Sequence, residues 1–258
     1  MKKDWGFRVL GLSMLLFGVA ALYWHRLTPS EEHLVLGDGG LHTIVLVCLG
    51  IAYIVGGTLV ILRTTMRLGA AAIAVALGIF VLLQIPGSIV HPAAWIGIFE
   101  VLGIISGALI LVERTGEIPN ERLVRGTMLL FGLCVASYAI AQVVYLQYTA
   151  SLVPAWMPLG QMFWTILTTI AFALAAIAIL TGILRLLALQ LLTAMLAIFG
   201  LAVWLPQIVT QPHLPGNWTE FAENFGIAAG AWILVDWLHV RAPVRRPPGE
   251  SAVNAIRR

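Results

Sequence analysis

Charge is what this chain has least of: charged residues make up 10% of it, against 60% hydrophobic residues and a mean hydropathy of +0.96. A soluble globule of 258 residues needs far more polar side chain to cover its surface, so a soluble fold is excluded and an integral membrane protein is expected. Cysteine is almost missing. Cys48 and Cys134 stand alone inside apolar runs, without a CxxC partner, which excludes a local dithiol redox site and leaves apolar packing as their role. The chain also lacks a nucleotide-binding glycine loop, a cofactor-attachment motif, a nucleophile–base pair and any nucleic-acid-binding motif. Its histidines show neither HxxxH nor HxxE spacing, so no metal site is inferred from them.

Long apolar runs are present instead. A spanning helix takes about 20 mostly apolar residues, and eight stretches qualify, approximately 8–25, 41–62, 68–86, 95–112, 126–147, 161–184, 186–206 and 220–238. The expected fold is therefore all-α, a polytopic bundle of eight transmembrane helices. With that threading, every Lys and Arg from Lys2 to Arg258 falls on one side except Arg26. Basic residues are retained on the cytoplasmic side, so both termini are expected there. The net charge of +3 then reflects topology and contact with the headgroups of the lipid bilayer, not a nucleic-acid partner. The first run is not a signal peptide, because Tyr23-Trp24-His25-Arg26 makes a poor cleavage site.

The runs are not independent. PAAWIGIFEVLGIISGALIL, Pro92 to Leu111, returns as PGNWTEFAENFGIAAGAWIL, Pro215 to Leu234, with nine of the twenty positions identical. Chance would give roughly two, so the pattern reads as a tandem duplication. MLLFG at Met14 to Gly18 recurs at Met128 to Gly132, Arg8 matches Arg122, and Gln84 matches Gln207. Two four-helix repeats follow, covering 1–117 and 118–241. Each has an even number of spans, so the two enter the membrane in the same direction as parallel repeats. Glu113 to Arg125, with Gly116, Pro119 and Asn120, marks the turn between them. Residues 242–258, rich in Pro and Arg, read as a disordered basic cytoplasmic tail.

Each copy places a glutamate, Glu100 and Glu223, five residues after a tryptophan and three before a GxxxG. An ionisable group in hydrocarbon costs several kcal/mol unless it is paired, neutral or facing water. On a helix Glu100 shares a face with Gly103 and Gly107, and Glu223 with Gly226 and Gly230. Such glycines let helices approach closely, so both carboxylates are expected to point into the bundle. His91 and His213 precede the two glutamate helices and Gln84 and Gln207 end the helices before them, which suggests a polar pocket on the outer side of each repeat. His25, His33 and His42 fall on that side as well, and only His239 inside. The second copy is the more polar, with Asn217, Thr219, Glu220 and Asn224 around Glu223, so a single active site is expected there. Asn217-Trp218-Thr219 also matches a glycosylation sequon. No helix shows a clear break by Gly or Pro at its middle, the usual pointer to a transport site.

The run GGTLVILRTTMRLGAAAIAVALGIF, Gly56 to Phe80, joins a Gly-Gly near a helix end to a short basic turn and a helix rich in small residues. In this each half of the chain resembles the DoxX-like family of small bacterial membrane proteins. Where such proteins often carry an acid, three positions before the Gly-Gly, this chain has Tyr53, and its glutamates sit in the fourth and eighth helices instead. The resemblance implies a bacterial inner-membrane protein, the membrane subunit or anchor of a redox complex, with a quinone as cofactor and a redox protein as partner. In that scheme Glu223, and after it Glu100, handles protons or positions the quinone, with Gln207 and His213 as neighbours. Two alternatives stand beside it: a small-solute or proton-coupled transporter using the paired glutamates, and a structural or assembly factor without catalysis.

Overall fold

The computed structural model describes residues 5–26, 39–91 and 94–241, with Arg241 described by its backbone alone. His33, Lys2, Lys3, Pro92 and the tail 242–258 lie outside the described residues. Ten α-helices follow one another: α1 (Gly6–Trp24), α2 (Gly40–Ile61), α3 (Met66–Val90), α4 (Trp95–Arg114), α5 (Glu121–Val144), α6 (Leu146–Leu152), α7 (Gln161–Thr181), α8 (Arg185–Phe199), α9 (Leu205–Thr210) and α10 (Pro215–Arg241). A π-helical turn, Gly200–Trp204, joins α8 to α9. No strand occurs among the described residues.

Seven helical segments are long and apolar enough to cross a membrane: α1, α2, α3, α4, α5, α7 and the continuous stretch Arg185–Thr210. A multi-pass membrane protein is what such helices make. The eighth expected span, α10, has the length, at 27 residues, but not the uniform apolarity. It carries Glu220, Glu223 and Asp236, and the reason it can do so is its position. From Gly226 to Ala231 every residue is buried, because α10 packs against α1, α4 and α8. Of all these spans, α1 and α4, on which it packs, have the largest share of buried residues, whereas Arg185–Thr210 has the smallest, with α7 next. A helix surrounded by protein is relieved of the requirement to match lipid.

Local chemistry sets the helix limits. Asn120 caps α5, its side chain accepting from the N–H groups of Arg122 at 3.1 Å and Leu123 at 3.2 Å. The chain therefore turns between α4 and α5 within the expected segment 113–125. Gly182, at φ 83°, ends α7 in the left-handed region, where a side chain would be strained. The ends of the helices sort by charge. Arg63 lies over the Phe7 ring at 5.5 Å, and Arg114 pairs with Asp236 at 3.9 Å. Asp236 is thus held between helices at what we call the arginine end, not left in solvent as its position near a helix terminus suggests. At the opposite end Trp24 of α1 and Trp218 of α10 pack with ring centroids 6.0 Å apart.

Helices approach one another at glycines. A Cβ on Gly107 of α4 would lie 2.6 Å from the Gly230 Cα of α10, and one on Gly230 would lie 2.9 Å from the Gly103 carbonyl oxygen. On Gly226 it would meet Ile104 at 2.8 Å and the Ser13 Oγ at 2.9 Å. Lipid tails are as apolar as leucine, so helix association in a membrane depends on such close packing. Gly107→Val should therefore lower stability by about 1–3 kcal/mol or more through overpacking, read as a fall in thermal midpoint in mild detergent. Gly78→Val, at a site with open space around it, should leave the midpoint within about 0.5 kcal/mol of the parent.

Candidate functional site

The α4–α10 crossing carries the two repeated glutamates. Glu223 is 4% exposed, and its Oε1 has no hydrogen-bond donor. Glu100 and Glu220 are partly buried, and all three carboxylates are near enough to influence one another electrostatically. Glu220 and Glu223 stand three apart and so share a face of α10. None of the three forms an ion pair with a basic side chain among the described residues. Placement of charge explains this: apart from Arg26, the described arginines belong to the arginine end. A carboxylate there has to be met by water, a proton, a cation or neutral hydrogen-bond donors.

The backbone just before each glutamate is tied down in an equivalent way. The Phe99 carbonyl accepts from the Tyr138 hydroxyl of α5 at 3.2 Å, and the Ala222 carbonyl accepts from the Ser13 hydroxyl of α1 at 2.5 Å. Tyr138 is itself held edge-on against Phe172, which packs in turn on Phe199. Tyr53 of α2, 1% exposed and edge-on to Phe17, is within electrostatic reach of Glu223. Short helix α6 lies near the cluster too: partial burial, with the charges of Glu220 and Glu100, pushes the Tyr148 phenol above its ordinary range.

A polar stripe on α10 completes the site. Asn217 and Asn224 are buried, and with Glu220 they follow the i, i+3, i+7 spacing of one helix face. The Asn217 amide donates to the carbonyls of Gln207 at 3.0 Å and Gln211 at 3.1 Å. Thus Asn217 is engaged as a clamp between α10 and α9, and its sequon does not present a free acceptor. The Asn224 amide donates to the Leu196 carbonyl at 2.7 Å, on the last α-helical turn before the π-turn. That turn has identifiable causes. Pro206 can supply no N–H to the preceding turn, and the Leu205 N–H reaches back five residues to the Gly200 carbonyl. Gly200 is required, because a Cβ there would run into the Phe225 ring. The span expected at 186–206 corresponds to the single helical stretch Arg185–Thr210, and the π-turn inside it is a feature not expected from the sequence.

The expected site residues divide into two sets. Glu100, Glu223 and Asn224 belong to the crossing, as do Gly103, Gly107, Gly226 and Gly230. Gln84 is 1% exposed on α3, its Oε1 without a donor, in the half of that helix away from the arginine end. Gln207 contributes its backbone carbonyl to Asn217, and no hydrogen bond joins it or His213 to Glu223 among the described residues. His91 and His213 are exposed. Tyr138, Tyr53 and Ser13 were not among the expected site residues, and Glu220 was expected only as one of the polar neighbours of Glu223. The spacing of Glu220 from Glu223 was visible in the sequence; the approach of Tyr53 and Ser13 from α2 and α1 was not. No group of three or more His, Cys, Asp or Glu side chains suited to a metal ion occurs among the described residues. No protein-family model, curated protein or solved structure matches the chain.

Expression in a glycosylating host should leave Asn217 unmodified by mass spectrometry. Asn217→Ala should cost about 1–2 kcal/mol through its two lost hydrogen bonds, measured as a lower unfolding midpoint.

Proposed function

We propose that this multi-pass protein is an eight-span bundle of two related four-helix units inserted in the same direction, and that Glu223, with Glu220 and Glu100, exchanges protons to drive transport of a small solute. The observation that carries the reading is Glu223 itself, 4% exposed with an oxygen lacking any donor. Burial without a basic partner is expensive in a membrane and is expected where protonation is part of the work. The π-turn adds to it: it lies in the half of the Arg185–Thr210 span nearest the carboxylates, and π-turns within α-helices are frequent at functional sites. Both termini are then cytoplasmic, with the arginine end inside.

Packing order supports the duplication. In the first half α1 packs on α2, α2 on α3 and α3 on α4; in the second α5 packs on α7, α7 on α8 and α8 on α10. Across the halves α1 meets α10 as α5 meets α4, and α4 meets α10. This is the order expected of two DoxX-like units related by a twofold axis along the membrane normal. Phe99 and Ala222, whose carbonyls are capped alike, are equivalent residues in the alignment of the two copies.

A second reading keeps the protein as the inner-membrane subunit or anchor of a quinone-linked redox complex. One feature favours it, a groove between α8 and α10 at the arginine end. Gln190, Thr193, Trp232 and His239 line it, and leucines 186, 187 and 238 continue it. Hydrogen-bonding side chains beside an apolar wall suit a quinone ring.

Reconstitution into liposomes with an internal pH dye separates the readings. Proton-coupled flux from a solute panel should fall at least about tenfold in Glu223→Gln and less in Glu100→Gln, with both proteins folded. Absence of flux for every solute, together with a copurifying quinone, would replace the transport reading by the redox one. Substitutions that change only stability would leave a structural or assembly factor.

A further inference from the structure

We infer that Asn224 is a positioning residue that links the proton on Glu223 to the bend between α8 and α9, so that the π-turn acts as a hinge. The inference rests on the proton-exchange reading of Glu223 and adds the part that moves.

Glu223 and Asn224 are adjacent on α10, so a shift that re-seats one displaces the other. Asn224 holds the Leu196 carbonyl at 2.7 Å, which also receives the Gly200 N–H. This places the amide at the junction between regular helix and π-turn. Two features keep that junction from being a passive kink. Gly200 lets the Phe225 ring, the residue after Asn224, press directly on the turn. Beyond the turn, Asn217 clamps the Gln207 and Gln211 carbonyls at the far end of α9. The π-turn and the α9 that follows it are thus flanked by two amides of one α10 stripe, Asn224 at Leu196 of α8 and Asn217 at Gln207 and Gln211, with Glu220 and Glu223 between those amides in sequence. A π-turn has an excess residue in its ring and can be passed along a helix or absorbed at small cost, which suits a two-state element.

The electrostatic setting of Glu223 is defined from each side. Glu220 stands on its own helix, Glu100 on α4, and the phenols of Tyr53 and Tyr138 reach it from α2 and α5. The ionisable side chains of α1 and of Arg185–Thr210, namely Arg8, Tyr23 and Arg185, lie at helix ends away from it. Gain or loss of a proton on Glu223 therefore changes the net charge of a cluster of carboxylates and phenols. The nearest adjustable dipoles on α10 are those of Asn224.

The test uses the full chain in liposomes. Spin labels go on Ile89→Cys and Val209→Cys, both well exposed, in a Cys48→Ser background; Cys134 is buried and stays. The distance distribution is measured at about pH 5 and about pH 9, and carboxyl infrared difference spectra are recorded on the same samples. The parent should show a shift in distance larger than the width of its distribution, absent in Glu223→Gln. Asn224→Leu should keep the carboxyl signal of Glu223 but lose the distance shift, and Asn224→Gln should restore part of it. A parent whose distance stays fixed while Glu223 titrates would overturn the hinge and leave the proton site standing. So would an Asn224→Leu protein that shifts like the parent. If no carboxyl signal disappears in Glu223→Gln, the proton-exchange reading fails, and the hinge with it.

Discussion

The contact on which this architecture depends is the crossing of α4 and α10 at Gly107 and Gly230. Two helix backbones can come that close only where neither carries a side chain, as the clash of an added Cβ with the opposite Cα makes plain. In water the hydrophobic effect would pull such helices together whatever their detailed shape. In a bilayer it gives no net preference for protein over lipid, and the dispersion contacts of a tight crossing have to supply the attraction. Part of the polar interior is arranged around that crossing, while Gln142 bonds Thr168 and Thr169 between α5 and α7. Ser13 and Tyr138 reach across to carbonyls about two turns away from it, and the carboxylates of Glu100 and Glu223 lie three residues before the first glycine of each pair.

The same crossing explains why α10 can be the least apolar long helix and still belong to the bundle. Its polar residues form a stripe that meets α1, α4 and the α8–α9 segment, so their hydrogen bonds are made with protein: Asn217 with Gln207 and Gln211, Asn224 with Leu196. Desolvation has been answered there by neutral dipoles, each bond contributing about 1 kcal/mol. Glu223 is the exception on this stripe. Asn217 and Asn224 on either side of it are hydrogen-bonded, and one of its own oxygens is not. Asp236 also has a buried oxygen outside hydrogen-bond distance of a donor, but it differs in having a basic partner, Arg114, 3.9 Å away at the arginine end.

Much of the fold was legible in the sequence because membrane helices are written in composition and length. Seven of the eight expected spans correspond to long apolar helices, and the turn at Asn120 was announced by Gly116, Pro119 and Asn120. The repeat of Glu and GxxxG pointed to α4 and α10 because a helix puts those positions on one face, a purely local consequence of its period. What could not be read was which other helices complete the site. Tyr53 is 170 residues from Glu223 in sequence, and Ser13 is 209 residues from Ala222. No periodicity links such pairs; only the order of helix packing does. His91 and His213 were misleading for a related reason, since proximity in sequence to a glutamate helix placed them at its exposed entrance and not beside the carboxylate.

The π-turn shows a different limit. Gly200 and Pro206 are each compatible with several local structures: a kink, a break, or a helix end. Their combination becomes a π-turn only because Phe225 and Asn224 occupy the space beside it, one ring filling the absence of a Cβ and one amide holding the Leu196 carbonyl. The irregularity is therefore a property of two helices jointly, and it falls beside the one stripe of α10 that carries ionisable groups. The corresponding part of the first half is built differently. There Pro86 lies within an α-helix that continues to Val90, and Gln84 is buried one turn before its end. If the two halves share an origin, they have diverged where the carboxylates are, with the hinge-like turn and the amide stripe present only in the second. The asymmetry sets the π-turn and the amide stripe together on one side of the α4–α10 crossing, against a first half whose α3 stays regular to Val90.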